Sequence, residues 1–422
     1  MKFFLNTFYL IDGLTYSVME NKNHSASLWG GVALVAGTCI GGGMLALPVE
    51  TAQAGLIPSI LALFAAWCYM LLTGLLLVEA TLWVKTPHPH LVSLSQRFLG
   101  SSGRYLSILL VLFMGLGSLV AYTTAGAPLM GKFLKYFFDY SWGSGFLLTL
   151  FAFVFGSIFL LKEQLISRLN HYLVLGMIVS FLSILIIGGW AFKNISYTSD
   201  FSKIPLTLPL ILTTFSYQIM GPSLVELMQK NRKLLYRAIF LGSLIPLFVY
   251  VAYEIVVFGI VPLEGEMGLL YALQNGLSST EVLYYHTKSS LLAPIVDTFA
   301  FLSLVTSFIG IGFGLVGFLR DLFGLKENYQ TLTGVSLAII LPTLFFTFLI
   351  PNAFLTALDL TGGYGDTWLS GLLPISMCWI GRYVQNIEEG SKALMHKATL
   401  VILSLFAFYV MYMQSLKLVM GS

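Results

Sequence analysis

Gly37-Thr-Cys-Ile-Gly-Gly-Gly-Met-Leu-Ala-Leu-Pro48 lies in the first long apolar stretch of the chain. Glycine costs about 1 kcal/mol per residue relative to alanine in a helix interior, so three in a row, Gly41, Gly42 and Gly43, make unwinding cheap. Unwinding frees main-chain N–H and C=O groups, which hydrocarbon does not tolerate unless they line a cavity or meet a ligand. The run therefore fits either a polar site inside a membrane or close packing of helices through small residues.

The residues around this run are those of a membrane protein. Of 422 residues, 57% are hydrophobic and only 10% charged, far below the roughly 25% charged usage of soluble domains. A helix crosses a bilayer with about 20 mostly apolar residues, and about eleven such runs follow one another, centred from Gly42 to Phe406, with Gly371 at the tenth. The alternating pattern of a membrane β-barrel is absent. The expected fold is an all-α polytopic membrane protein embedded in a lipid bilayer, with connections too short for a soluble domain. Lys and Arg cluster in loops on one side if the N-terminus is cytoplasmic, leaving Lys132, Lys135, Lys193, Lys203, Lys288 and Lys417 on the other, as the positive-inside rule requires. The 1–26 segment is then a cytoplasmic lead without a signal-peptide cleavage site, and Met19 is an alternative start.

The remaining totals exclude other classes. A formal charge of +3 spread over loops marks no nucleic-acid surface. Cys39, Cys68 and Cys378 fall in apolar stretches and read as buried thiols. His88 and His90 stand in a Pro-rich loop with no third ligand, so no metal is expected. Neither HExxH nor GxSxG occurs, and no cofactor is called for, which argues against a membrane-embedded enzyme. A channel needs a continuous polar lining rather than isolated breaks.

A second interruption narrows the reading of the first. The sixth run, Pro205-Leu-Thr-Leu-Pro-Leu-Ile-Leu-Thr-Thr-Phe-Ser-Tyr-Gln-Ile-Met-Gly-Pro222, puts Thr213, Thr214, Ser216, Tyr217 and Gln218 at mid-depth and then meets Gly221-Pro222. Proline there removes a donor and crowds the preceding turn. Interrupted helices at the first and sixth positions suit an inverted-repeat transporter with halves 27–191 and 192–385, followed by a last helix in 386–422. Freed N–H groups at one helix end attract a carboxylate, and freed carbonyls at another attract an ammonium. An α-amino acid carries both charges, so it can be held with no Lys or Arg at mid-membrane.

Several stretches resemble the bacterial hydroxy and aromatic amino acid permeases, the tyrosine- and tryptophan-specific transporters. They are GTCIGGGMLALPVETAQAG, TGLLLVEATLW, LPLILTTFSYQIMGPSLVELMQKNRKLLYRAIFLGSLIPLFVY and VDTFAFLSLVTSFIGIGFGLVGFLRDLFG. The resemblance implies eleven spans of the amino acid–polyamine–organocation superfamily, with a five-plus-five inverted repeat of leucine-transporter type. It also implies import of an aromatic amino acid with a proton across the bacterial inner membrane. The sixth span departs from the pattern: Phe215-Ser216-Tyr217-Gln218 stands where relatives tend to carry a Phe-Gly-Phe-His-like stretch. Ser216 and Gln218 could bond a phenolic hydroxyl, which favours tyrosine, while tryptophan remains an alternative because its N–H also needs a partner.

The residues expected to touch substrate are Thr38, Ile40, Gly41, Gly42, Gly43, Tyr122, Thr214, Phe215, Ser216, Tyr217, Gln218 and Gly221. Tyr122 either closes over a bound ring or packs in the core. Intramembrane carboxylates are candidates for carrying a proton. Glu226 stands nearest the second break along the chain, Glu79 is a second choice unless it merely pairs with Lys85, and Glu254 is a third unless it faces the interface. Asp297 and Asp359 are further acids in spans, with Glu50 and Asp366 nearer the edges. Ser303, Thr306 and Ser307 share a region of the eighth span, where sodium-coupled relatives would place an ion, although such hydroxyls also bond their own helix. Gly362-Gly363-Tyr364-Gly365 is read as a hinge or an extracellular turn, and LLYALQNGL in the 262–293 connection as a short lid helix.

Overall fold

The computed structural model describes residues 28–84, 90–161, 163–190, 199–287, 292–326, 328–350 and 352–420. Every regular element among them is helical. Eight helices are long and apolar enough to cross a membrane, and a bent pair, Leu28–Cys39 with Gly42–Gln53, forms a ninth crossing with a 46° break. Two further runs take the fourth and tenth positions. Ser144–Leu160 is short, and the tenth is continuous from Ala353 to Val384 but carries Asp359, Asp366 and Arg382. Lys85 and His88, and the whole 1–27 segment with Met19, lie outside the described residues.

Local chemistry sets the breaks. Gly41 is fully extended between the two halves of the first span, and Pro48 occupies the second position of the short helix Leu47–Glu50. At that position proline's missing N–H costs nothing. The sixth span, Phe201–Leu227, repeats the device: helix Ile204–Thr214 begins with Pro205 at its second position, and helix Gly221–Leu227 begins with Pro222 at its second. Between them Phe215–Tyr217 leaves the helix. Unlike the first, this interruption keeps the two halves close to one axis, so Phe201–Leu227 passes as a single crossing.

The end of the bundle bearing Leu28 is called the N-terminal face. There Trp83 of the second span, Leu56–Leu82, donates its indole N–H to Glu389 O at 3.2 Å. At the opposite face, Asp200 N–H bonds Ala54 O at 2.9 Å. LLYALQN does form a helix, Leu269–Asn275, and a second short helix, Ser279–Thr287, follows it. Ser279 donates to Leu45 O at 2.6 Å and meets the Tyr253 hydroxyl at 2.8 Å, which pins this lid to the outer half of the first span.

The tenth span differs from the sequence reading. Its centre lies before Gly371, and Thr361–Leu372 winds as a buried π-helix rather than an extracellular turn. The glycines there are contact points. A Cβ on Gly362 would stand 1.8 Å from Pro209 O of the sixth span, and one on Gly363 or Gly365 would run into Gln414 or Met114. Gly362 thus lets the tenth helix approach the backbone of the sixth span, while Gly363 and Gly365 make room for side chains of the last and third helices.

Lys417 also moves. Sorting by loops placed it outside, but it is buried in the last helix, Lys397–Met420, ion-paired with Glu50 and, at 3.0 Å, with Asp359. Near the end of the bundle opposite the N-terminal face, a buried lysine is thus held by acids of the first and tenth spans. Such a cluster is costly to break, because removing the cation strands buried carboxylates.

Candidate functional site

The two breaks face each other. A Cβ on Gly43 would sit 3.6 Å from the Thr214 side chain, one on Gly42 would meet the Tyr122 ring at 2.8 Å and Leu304 at 3.0 Å, and one on Gly41 would stand 2.4 Å from Ser307 Oγ. Only glycine lets the unwound strand come this close to the third and eighth spans. The freed N–H of Gly42 donates to Ser307 Oγ at 2.9 Å, and Tyr122 lies within hydrogen-bonding reach of the same hydroxyl.

A residue absent from the sequence-based set joins the breaks. Tyr250 of the seventh span, Arg232–Ile260, is fully buried, and its hydroxyl lies 2.7 Å from both Cys39 O and Thr214 O. Those carbonyls are the open C-terminal ends of the first half-helix in each broken span. One phenol thus serves both ends, and its ring packs against Phe215 at 5.2 Å.

Asp366 is the second addition. It is fully buried rather than near an edge, and its Oδ1 accepts from the hydroxyls of Ser216 and, at 2.9 Å, Ser370. Among the described residues its Oδ2 has no hydrogen-bond partner, and neither has the buried hydroxyl of Tyr69. The signal for Asp366 was present: it is a carboxylate inside a mostly apolar run that continues to Trp379.

Other expected residues are placed elsewhere. Tyr217 and Gln218 turn away from the break, into the second span: the Tyr217 hydroxyl and the Gln218 amide both donate to Met70 O, at 3.1 and 3.0 Å. Gln218 is fully buried there, so it does not offer itself to a phenolic hydroxyl. Gly221 packs on Leu77. Thr38 and Thr214 bond carbonyls of their own helices, and Ile40 is half-buried beside Thr38. Of the eighth-span hydroxyls, Ser307 reaches the break, Thr306 bonds its own helix at Ser303 O, and Ser303 is buried without a partner.

The acids proposed as proton carriers also separate. Glu226 is half-buried near the end of its helix, eight residues and so about 12 Å beyond Gln218. Glu79 is fully buried at the N-terminal face, paired with Arg232 at 3.1 Å and accepting from Tyr236. Glu254 is fully buried rather than interface-facing, and accepts from Thr51 at 2.8 Å. Asp297 pairs with Lys132 at 3.0 Å.

Burial differs between the two sides of the break. From Met44 to Ala52 the first span is buried throughout. Toward the N-terminal face, Gly37, Ile219, Gly310 and Gly314 are exposed, and a Cβ on Gly310 or Gly314 would meet nothing within 4 Å. Gly314 lies about two turns from Ser307 on the same helical face.

Opposed half-helix ends inside a helical bundle define a membrane carrier of the broken-helix type. The chain belongs to the tryptophan/tyrosine permease family, whose model matches residues 24–414. It is 28% identical over 361 residues to tyrosine-specific transport system 1 of Haemophilus influenzae, covering 84% of this chain and 88% of that protein. It is equally 28% identical over 365 residues to the tryptophan-specific transport protein of the same organism, covering 82% and 86%. Among solved structures, the fold resembles that of MhsT in complex with L-phenylalanine, with a TM-score of 0.59 and 13% identity over 93% of this chain and 100% of that one. The family is one of permeases and the two Haemophilus relatives are named for transport, so the chain is a transport protein and not an enzyme.

Proposed function

We propose that this protein imports an aromatic amino acid, tyrosine first, across a bacterial inner membrane together with a proton, by alternating access. The observation that carries the reading is the apposition of the two breaks across Gly43 and Thr214. An unwound strand rich in N–H groups suits a carboxylate, carbonyl ends suit an ammonium, and Tyr122 with Phe215 supplies aromatic surface for a ring. The N-terminal face is assigned to the cytoplasm, so the geometry corresponds to an inward-facing state with the lid closed outside. The 27–191 and 192–385 segments act as the two repeats, and exposed Leu341, Phe345 and Phe348 form part of a surface turned to lipid.

Tryptophan is the second reading. It is favoured by the equal identity to a tryptophan-specific relative and by the turning of Gln218 away from the break. Counterflow in proteoliposomes with labelled tyrosine, tryptophan and phenylalanine, under an imposed pH gradient and then a sodium gradient, tests both. Saturable accumulation driven by the pH gradient is expected. Uptake linear in concentration, or driven by sodium alone, contradicts the reading.

A further inference from the structure

We infer that Asp366 is the residue that carries the coupled proton. This assignment rests on the proton-symport reading above. Four observations lead to it. The carboxyl is fully buried beside the breaks, where an unpaired charge is expensive and a proton relieves the cost. Its Oδ2 has no hydrogen-bond partner among the described residues. It sits in a π-helical stretch, a local form frequent at functional sites. Most tellingly, one of its two hydroxyl donors, Ser216, belongs to the broken sixth span, while the other, Ser370, belongs to its own helix.

That division couples the proton to the conformation. Hydrogen bonds to a carboxylate favour its charged form. With the sixth span in the position seen here, both serines donate to Oδ1, and the acid gives up its proton toward the side assigned to the cytoplasm. When the sixth span rocks away, Ser216 leaves, one donor remains, and the carboxylate takes a proton at Oδ2 from the outside. The proton taken up there is the one released inside, so the cycle balances at one proton per turnover with no redox step.

Among the described residues, the surroundings of Asp366 supply no competing charge. The titratable groups facing Asp366 are Cys39 from the first span, Tyr69 from the second and Tyr122 from the third, all neutral types near pH 7. Thr213 of the sixth span also lies against it. Among the described residues, Lys417 pairs with Glu50 and Asp359.

The test uses the full-length protein in proteoliposomes, with labelled tyrosine and tryptophan as probes. Asp366→Asn is expected to keep substrate counterflow within about threefold of wild type while losing accumulation driven by a pH gradient. Retained pH-driven accumulation in Asp366→Asn overturns the assignment alone. Loss of counterflow from a folded, monodisperse Asp366→Asn also overturns it, because the acid then serves substrate binding. Wild-type protein without pH-driven accumulation overturns the symport reading and this assignment with it. Ser370→Ala gives a readout independent of Asp366→Asn folding: it removes one donor and moves the pH midpoint of uptake up by about one unit. An unmoved midpoint counts against the assignment.

Discussion

Tyr250→Phe isolates one hydroxyl. The substitution keeps the ring, its contact with Phe215 at 5.2 Å and the packing volume, so no cavity enters the balance. It removes the donor that lies 2.7 Å from both Cys39 O and Thr214 O. A single O–H donates one proton, so one hydrogen bond is lost, and its carbonyl is left buried without that donor. Such a loss costs about 1–3 kcal/mol. If the phenol holds the two half-helices in the arrangement seen here, that cost acts on the equilibrium between inward- and outward-facing forms, a shift of about 5- to 150-fold. The assay is counterflow of labelled tyrosine in proteoliposomes alongside thermal unfolding in detergent. Expected is at least a fivefold change in transport rate with a lower midpoint of unfolding. Tyr250→Ala adds the cavity cost of a large aromatic, about 3–5 kcal/mol, and is expected to impair folding outright. Wild-type transport and stability in Tyr250→Phe would refute the idea that this hydroxyl ties the breaks together.

Three other outcomes are expected. Gly42→Ala drives a methyl to 2.8 Å from the Tyr122 ring, an overpacking cost of about 1–3 kcal/mol, and is expected to abolish transport while leaving surface expression measurable; normal uptake would show that the ring is free to move. Lys417→Met strands Glu50 and Asp359 and is expected to destabilise by about 3–5 kcal/mol, with recovery in the triple variant that adds Glu50→Gln and Asp359→Asn, both read by thermal unfolding. Ser279→Ala removes the lid's bond to Leu45 O and is expected to raise thiol labelling at an introduced Leu45→Cys; unchanged labelling would mean the lid is held by its apolar contacts.

Features encoded locally were legible in the sequence. Three consecutive glycines and the Phe215–Pro222 stretch break helices by their own chemistry, and hydropathy gave the spans even where the tenth and fourth fall short in length or charge. The site itself was legible only in outline. Gln218 was assigned to substrate from its place in the break, but which way a side chain turns depends on the neighbouring helix, and Met70 O claims it. Glu226 was ranked by distance along the chain, whereas Asp366 reaches the break from another helix altogether. Tyr250 carried no local mark: among 21 tyrosines nothing but tertiary packing distinguishes it. Gly362, Gly363 and Gly365 read as a hinge or a turn because what they admit, the Pro209 carbonyl and the Gln414 and Met114 side chains, is invisible until those neighbours are in place.

The buried cluster of Glu50, Asp359 and Lys417 has a consequence for how the protein is made. Glu50 and Lys417 are separated by 367 residues, and at 5–20 residues per second a ribosome takes about 20–70 s to cover that distance. During that interval the first helix is already synthesised while its cation does not yet exist. The acid must wait protonated, or in water, until the last helix arrives. Assembly of the first, tenth and eleventh helices therefore waits on the synthesis of residue 417, and a ribosome stalled before it leaves a nascent carrier whose first helix is still unsecured.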